Sequence, residues 1–415
     1  MPLTLEDQFR QQTGWANAAD AQSVPALVDH ILTAARQAGA SDVHLLPTES
    51  GLEMRWRIDG LLQPVAVFPR ELRPNIVSRL KVLADLLTYQ NDLPQEGRIR
   101  DVPNSAGAAP LAGDDEMRVS TFPTVFGEKA VIRLFVGSGQ YRHLDDLGFP
   151  EDLRDSLAQA LTETGGVIVV TGPAGSGKTT TLYACLREIA RASGPQRSLV
   201  SLEDPIEAVV PAVAQSAIRP SAGFDYENGL KSLLRQDPDV IMVGEIRDRA
   251  TAEVVFQASL TGHLVMTTFH AGSAAEAIGR LLDMGIEPYQ IRSGILCELN
   301  QLLVRKLCEC AVDTDDPIAR LGLPVSRART PAGCDTCRGT GYRERLVLVE
   351  MLRPDSRDIG PAILGRAEAG ELERLAAEEG MRTRWQRASE MVEAGGTSPA
   401  EVRRVLGFRG TREEI

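Results

Sequence analysis

No stretch of this sequence approaches the roughly 18 consecutive apolar residues that a membrane-crossing helix needs. The opening residues, MPLTLEDQFRQQTGW, also lack the basic end and continuous apolar run of a secretory signal. Both absences predict a cytoplasmic protein. Basic excess is missing too: 45 Lys and Arg against 57 Asp and Glu leave a net charge of −12. That balance offers no general attraction for DNA, RNA or anionic lipid, so no nucleic-acid partner is expected. Cysteine is scarce. Of six, Cys185 and Cys297 stand alone in helical-looking segments and read as packing residues, whereas Cys308, Cys310, Cys334 and Cys337 form two close pairs. In a reducing compartment such pairs point to a metal before a disulfide. Internal repeats are absent.

What is present suits an ordinary soluble globular protein of two or three domains, 415 residues long with 43 % hydrophobic and 25 % charged side chains. Residues 1–22 read as a polar leader. VPALVDHILTAARQAGA then spaces Leu27, Ile31, Ala34 and Ala35 as a helix, with Gly39 as its stop. Short strands and an amphipathic NIVSRLKVLADLLTY complete a mixed α/β domain over 23–137, interrupted by a Gly-, Pro- and Asp-rich surface loop at 101–116. Residues 138–161 read as a linker. From 162 to 415, apolar strands at 167, 198, 239 and 263 alternate with longer helical segments, the pattern of a parallel sheet with crossover helices. This second domain includes the cysteine module at 305–342 and the C-terminal helices.

Gly172-Pro173-Ala174-Gly175-Ser176-Gly177-Lys178-Thr179 matches G-x-x-x-x-G-K-[ST], follows VIVVT and, with Thr180, opens a helix. Its glycines let main-chain N–H groups converge on phosphate, Lys178 reaches the β and γ phosphates, and Thr179 offers a hydroxyl to magnesium. In a parallel sheet, ligands bind beyond the strands' carboxyl ends. There SLVSL runs into Glu203-Asp204, DVIMV into Gly244-Glu245 and LVMTTF into His270, with His263 at the start of that last strand. Acids can polarise water and hold an ion's hydration shell, and neutral histidines can orient or sense a terminal phosphate.

With LEDPIE, LLRQDPDVIMVGEIRDRATAE and TGHLVMTTFHAGSAAEAIGRLLDMG in place, the chain resembles the motor ATPases of type II secretion and type IV pilus assembly, from about Ala40 to Glu350. The resemblance implies a RecA-like P-loop domain, a smaller PAS-like N-terminal domain, and a homohexamer that hydrolyses ATP with Mg2+. It implies work beside a polytopic inner-membrane platform protein. Glu245 would activate the attacking water, Glu203 and Asp204 would act near magnesium and the γ phosphate, and His263 and His270 would be the histidine-box pair. ASDVHLLP, RWRIDG, LPQEGR and RVSTFPTVFGEKAVIRL resemble the family's N-terminal motifs, placing Arg118 and Arg133 where arginines approach the phosphates. Alternatively the two arginines pair with neighbouring acids on a strand face.

Related assembly motors bind zinc through two C-x-x-C pairs in the cysteine segment. Here the first pair is Cys308-Glu-Cys310 and the second Cys334-Asp-Thr-Cys337, so either zinc or reduced metal-free thiols fit. Glu344 stands where the family's G-Y-x-G-R run has glycine. A non-hydrolytic nucleotide-gated ring and a DNA-translocating ring are the competing functions, and the choice between type II secretion, pilus extension and DNA uptake stays open.

Overall fold

The computed structural model describes residues 4–13, 24–99, 117–134 and 141–408. They fall into two compact units: residues up to 138 with 308–311 and 331–344, and the remainder. The loop expected at 101–116 lies outside the described residues.

The first unit runs α1 (Leu5–Thr13), α2 (Val24–Gln37), β1 (Asp42–Pro47), β2 (Gly51–Ile58), β3 (Leu61–Pro69), α3 (Arg73–Leu83), β4 (Gln95–Ile99), β5 (Met117–Thr124) and β6 (Gly127–Arg133). Its six strands form one antiparallel sheet in the order β3-β2-β1-β6-β5-β4. Period-two alternation builds it: Leu52, Met54, Trp56 and Ile58 of β2 are buried, while Glu53, Arg55 and Arg57 are turned toward water. The predicted face of α2 is buried, and Gly39 follows it at φ +75°, a conformation glycine adopts without strain. The expected polar leader is in part a docked helix. Leu5 and Phe9, four residues apart on α1, are buried, and Phe9 packs edge-on against Trp56 at 5.8 Å and Phe68 at 6.4 Å. Two apolar residues in a polar stretch make too weak a periodic signal to be read alone.

Lys81 of α3 is fully buried. It forms an ion pair with Glu128 of β6 at 2.5 Å and donates to the Gln90 carbonyl at 2.8 Å and Asn91 Oδ1 at 3.0 Å. It thereby ties the 84–95 loop to helix and sheet. Lys81→Met leaves Glu128, its side chain only 10 % exposed, without its cation, so unfolding stability should drop by about 3 kcal/mol, read as a lowered denaturant midpoint.

The second unit begins earlier than the predicted boundary: α4 (Glu151–Ala160) lies in the segment read as linker, yet its Leu153 and Leu157 join this unit's core. It continues with β7 (Gly166–Thr171), α5 (Lys178–Ser193), β8 (Leu199–Glu203), β9 (Ala214–Ala217), α6 (Tyr226–Leu233), β10 (Val240–Val243), α7 (Arg249–Leu260), β11 (Leu264–Phe269), α8 (Ala274–Asp283), α9 (Pro288–Gly294) and β12 (Ile295–Leu307). A small hairpin of β13 (Val312–Thr314) and β14 (Ala328–Thr330), then β15 (Tyr342–Leu352), α10 (Ile359–Leu364), α11 (Ala369–Glu378), α12 (Arg384–Glu393) and α13 (Pro399–Leu406) complete the chain.

The seven-stranded sheet has the order β15-β12-β7-β11-β10-β8-β9, and neighbours from β12 to β9 are parallel. Helices cover both faces, so every residue of β7, β10 and β11 is buried and the strands read as continuous apolar runs. Val167 and Val169 pack toward α6, α7, α8 and α9, while Ile168 and Val170 pack toward α4 and α5. The registers align Thr171 with Phe269, Thr267 with Val243 and Val243 with Leu202. The segments after β7, β8, β10 and β11 therefore leave the sheet at one edge, which positions the site.

Candidate active site

Gly172 (φ +135°), Gly175 (φ +76°) and Gly177 (φ +89°) carry the P-loop in backbone conformations that L residues rarely adopt. Space demands glycine as well: a Cβ on Gly172 would stand 2.2 Å from the Gln301 carbonyl oxygen, and one on Gly177 2.8 Å from the Gln301 amide. Gln301 of β12 is nearly fully buried, accepts from Thr181 Oγ1 at 2.8 Å and donates to the Ser176 carbonyl at 2.7 Å. It buttresses the loop from beneath. Gly177 caps α5 with no side chain, so the helix presents its first N–H groups to the loop.

Lys178 folds back, donating to the carbonyls of Gly172 and Pro173, both at 2.9 Å. Burial pushes its ammonium below the ordinary lysine value, and Glu245 pulls it back up. Thr179 and Thr180 follow in the first helical turn, half-buried. Glu245, just past β10, is paired with Arg247, which also reaches Asp204 at 3.0 Å. His270 Nε2 lies 3.7 Å from Glu245, and its Nδ1 lies 3.1 Å from the Gly172 carbonyl. A carbonyl can only accept, so Nδ1 carries the proton and Nε2 faces the acid. Lys178, Asp204, Glu245 and His270 thus converge, and Arg247 joins them. In the sequence Arg247 looks like part of a solvated turn.

Two expected residues are placed elsewhere. Glu203 is 2 % exposed and turned inward: one carboxyl oxygen accepts from Tyr183, the other from Ser201 Oγ at 2.6 Å and Gln215 Nε2 at 2.9 Å. Tyr183 in turn accepts from the Glu207 amide at 3.1 Å, pinning the loop that carries Asp204. His263 precedes β11 at the opposite edge of the sheet, about 20 Å of strand from His270. Its Nδ1 donates to the Ala258 carbonyl at 3.0 Å and so closes the end of α7.

On the first unit, cross-strand register sets Arg133 opposite Arg118 and Arg118 opposite Arg98. Arg133 Nε lies 3.3 Å from Asp42, the neighbourly pairing foreseen as an alternative. Like charges in direct register destabilise a sheet unless an anion answers them. Register, which the sequence does not display, adds Arg98 to the two arginines expected.

Cys308 and Cys310, beyond β12, meet Cys334 and Cys337, ahead of β15. Cys308 and Cys334 Sγ are 3.8 Å apart, Cys310 and Cys337 3.8 Å, Cys334 and Cys337 3.7 Å, and all four sulfurs lie within 4.8 Å of one another. Tetrahedral thiolates at a zinc–sulfur distance of about 2.3 Å stand about 3.8 Å apart, so this set fits one such ion. The Cys334 and Gly341 amides donate to Cys337 Sγ, each at 3.1 Å. The Cys334 thiol is pushed down to about 6, its backbone hydrogen bond with Cys337 being the first cause. The CxC pair closes the set without a second C-x-x-C turn. These cysteine loops group with the first unit, away from the second-domain assignment given by chain position. Glu344 holds the left-handed backbone at φ +68°, so the loop keeps a glycine-like geometry without glycine.

A parallel α/β sheet with a complete P-loop and an acid and a histidine at the neighbouring strand ends defines a P-loop nucleotide-binding protein. Residues 17–404 match the family described as type II/IV secretion system protein, and the chain belongs to that family. It is 38 % identical over 423 residues to the type II secretion system protein E of Pseudomonas aeruginosa, covering 99 % of this chain and 80 % of that one. It is 38 % identical over 373 residues to the type IV pilus assembly ATPase PilB of Thermus thermophilus, covering 88 % of this chain. The chain spans 41 % of that relative's length, and 66 % of the type IV pilus assembly ATPase TfpB of Acinetobacter baylyi. The ATPase DotB of Legionella pneumophila superposes with a TM-score of 0.64 at 21 % identity over 91 % of this chain and 95 % of that one, a likeness of fold. No described helix is long and apolar enough to cross a membrane.

Proposed function

We propose that this protein is a magnesium-dependent ATP hydrolase working as a ring of six, with the second unit as its RecA-like motor and the first as the PAS-like companion. Hydrolysis drives assembly of a pseudopilus or pilus through a polytopic inner-membrane platform protein that holds the ring at the cytoplasmic face. The convergence of Lys178, Glu245 and His270 at one sheet edge carries this reading. Thr179 holds magnesium, with Asp204 on its water shell; these oxygen donors suit a hard cation, which neutralises charge on the phosphates. Lys178 leaves the carbonyls of its own loop for phosphate oxygens. Glu245, freed from Arg247, takes the proton of the attacking water, and His270 stands beside it to sense the terminal phosphate. Glu203 stays inward as the anchor of the Asp204 loop. Arg118 and Arg133 answer the negative charge spread over the γ-phosphate oxygens, each delivered guanidinium contributing several kcal/mol on the scale of arginine fingers.

Phosphate release under steady state, with light scattering in the presence and absence of a non-hydrolysable ATP analogue, tests the reading. Sustained release from a hexamer supports it; nucleotide binding without release, or a monomer under both conditions, defeats it.

The metal of the cysteine cluster is zinc in this proposal, held by Cys308, Cys310, Cys334 and Cys337. Four thiolates leave no open position, so it braces the loops and takes no part in turnover. One zinc per chain is expected by atomic emission, and Cys334→Ser should lower both zinc content and melting temperature; a full-strength fold with no metal refutes it.

A further inference from the structure

Glu298 is an acid inside the apolar layer between the sheet and its helices, on β12 opposite Val169. It is fully buried, as is Asn300 two residues on along the same face. Glu298 Oε1 accepts from the Thr171 hydroxyl at 2.5 Å, and Thr171 is the last residue of β7 before the P-loop. That hydroxyl accepts from Asn300 Nδ2 at 2.9 Å, and the same amide nitrogen lies 3.2 Å from the Ala271 carbonyl. Ala271 follows His270, whose ring is bonded to the Gly172 carbonyl. The entrance of the P-loop and the histidine loop are thus joined twice, once by the His270 ring and once through Asn300.

We infer that Glu298 is a positioning residue for the phosphate site: by orienting the Thr171 hydroxyl it aligns Asn300 on Ala271 and so holds His270 against Gly172. The inference rests on the proposed role of His270 in hydrolysis and extends it to a residue three strands from Glu245 in sheet order.

The chemistry of the pocket says in which form the acid acts. Burial pushes the Glu298 carboxyl well above the ordinary range, the Thr171 bond opposes that, and Glu350 on β15 adds to it. β7 presents Thr171 and the histidine loop presents Ala271. Glu350 is itself occupied by the main-chain N–H of Ala274 at the start of α8 and of Arg384 at the start of α12. Glu298 Oε2 has no hydrogen-bond donor among the described residues, so nothing beyond Thr171 supports a charged carboxylate there. An amide in place of the acid keeps an oxygen for Thr171 and has no charge to lose.

The test compares Glu298→Gln, Glu298→Leu and Thr171→Val in the full-length chain, with Glu245→Gln alongside. Glu298→Gln should keep kcat and KM for ATP within about twofold. Glu298→Leu and Thr171→Val should each lower kcat at least about tenfold at unchanged KM, and the double variant should fall no further than either single one. The His270 imidazole NMR signal, identified by its loss in His270→Asn, should move in both of these and stay put in Glu298→Gln. A raised folded value means the native state binds the extra proton. Above the ordinary glutamate range the wild type should therefore lose about a factor of ten in its unfolding equilibrium per pH unit relative to Glu298→Gln. Thr171→Val, nearly isosteric, decides the matter if Glu298→Leu does not fold. Normal kcat and an unmoved His270 signal in Thr171→Val, multiplying losses, or damage in Glu298→Gln equal to that in Glu298→Leu would overturn the inference. Normal turnover in Glu245→Gln would instead overturn the hydrolysis reading.

Discussion

Glu245→Gln will bind ATP with near wild-type affinity and release phosphate about 100- to 10,000-fold more slowly. The glutamine keeps the size and polarity of the side chain but cannot accept a proton from water. Glu245 is the base in the proposed function because it lies beside His270 and close enough to Lys178 to raise the ammonium's proton affinity. Glu203, the other strand-end glutamate, has both oxygens taken by Tyr183, Ser201 and Gln215. Losing the Glu245 charge also releases Arg247 to Asp204 alone, so nucleotide affinity should hold or rise slightly as repulsion of the γ phosphate falls. Equilibrium binding of a fluorescent ATP analogue and a phosphate-release assay on the same preparation separate the two effects. Turnover within a few-fold of wild type would remove Glu245 as the base.

The contrast between Glu245 and Glu203 shows what the sequence can and cannot carry. Strands, P-loop and the edge at which the site forms are local matters of apolar runs, glycine spacing and parallel register, and all are legible. Which way a strand-end acid turns depends on partners from elsewhere in the chain. Tyr183 on α5 and Gln215 on β9 draw Glu203 inward, and neither has a fixed spacing to it. His263 and His270 read as a pair only through the resemblance to the family's histidine box, and six strand residues separate them across the sheet. A clue was present at β12: Glu298, Asn300 and Gln301 interrupt an apolar run that the topology buries, and buried polar groups need partners. Those partners proved to be the last residue of β7, the P-loop, the first turn of α5 and the histidine loop.

Lys178→Ala should raise KM for ATP and depress turnover together, lowering kcat/KM by about 1,000-fold or more, because the ammonium serves two states of the loop. In the structure it donates to the carbonyls of Gly172 and Pro173, holding the backbone in its arched form. In the proposed function it exchanges those neutral acceptors for phosphate oxygens, adding the attraction of opposite charges in a partly desolvated site. Burial makes the exchange more favourable: desolvation holds the ammonium below its ordinary value, so a phosphate charge relieves a cost of burying it. Alanine forfeits this attraction and takes one donor from each of two carbonyls, leaving that of Gly172 to His270 and that of Pro173 to the Ser176 N–H. The loss should therefore appear in nucleotide affinity as well as in kcat, the reverse of the pattern for Glu245→Gln. Isothermal titration with ATP in magnesium buffer beside the turnover assay checks it. Unaltered affinity in the alanine variant would mean that the loop amides and α5, without the lysine, carry phosphate binding.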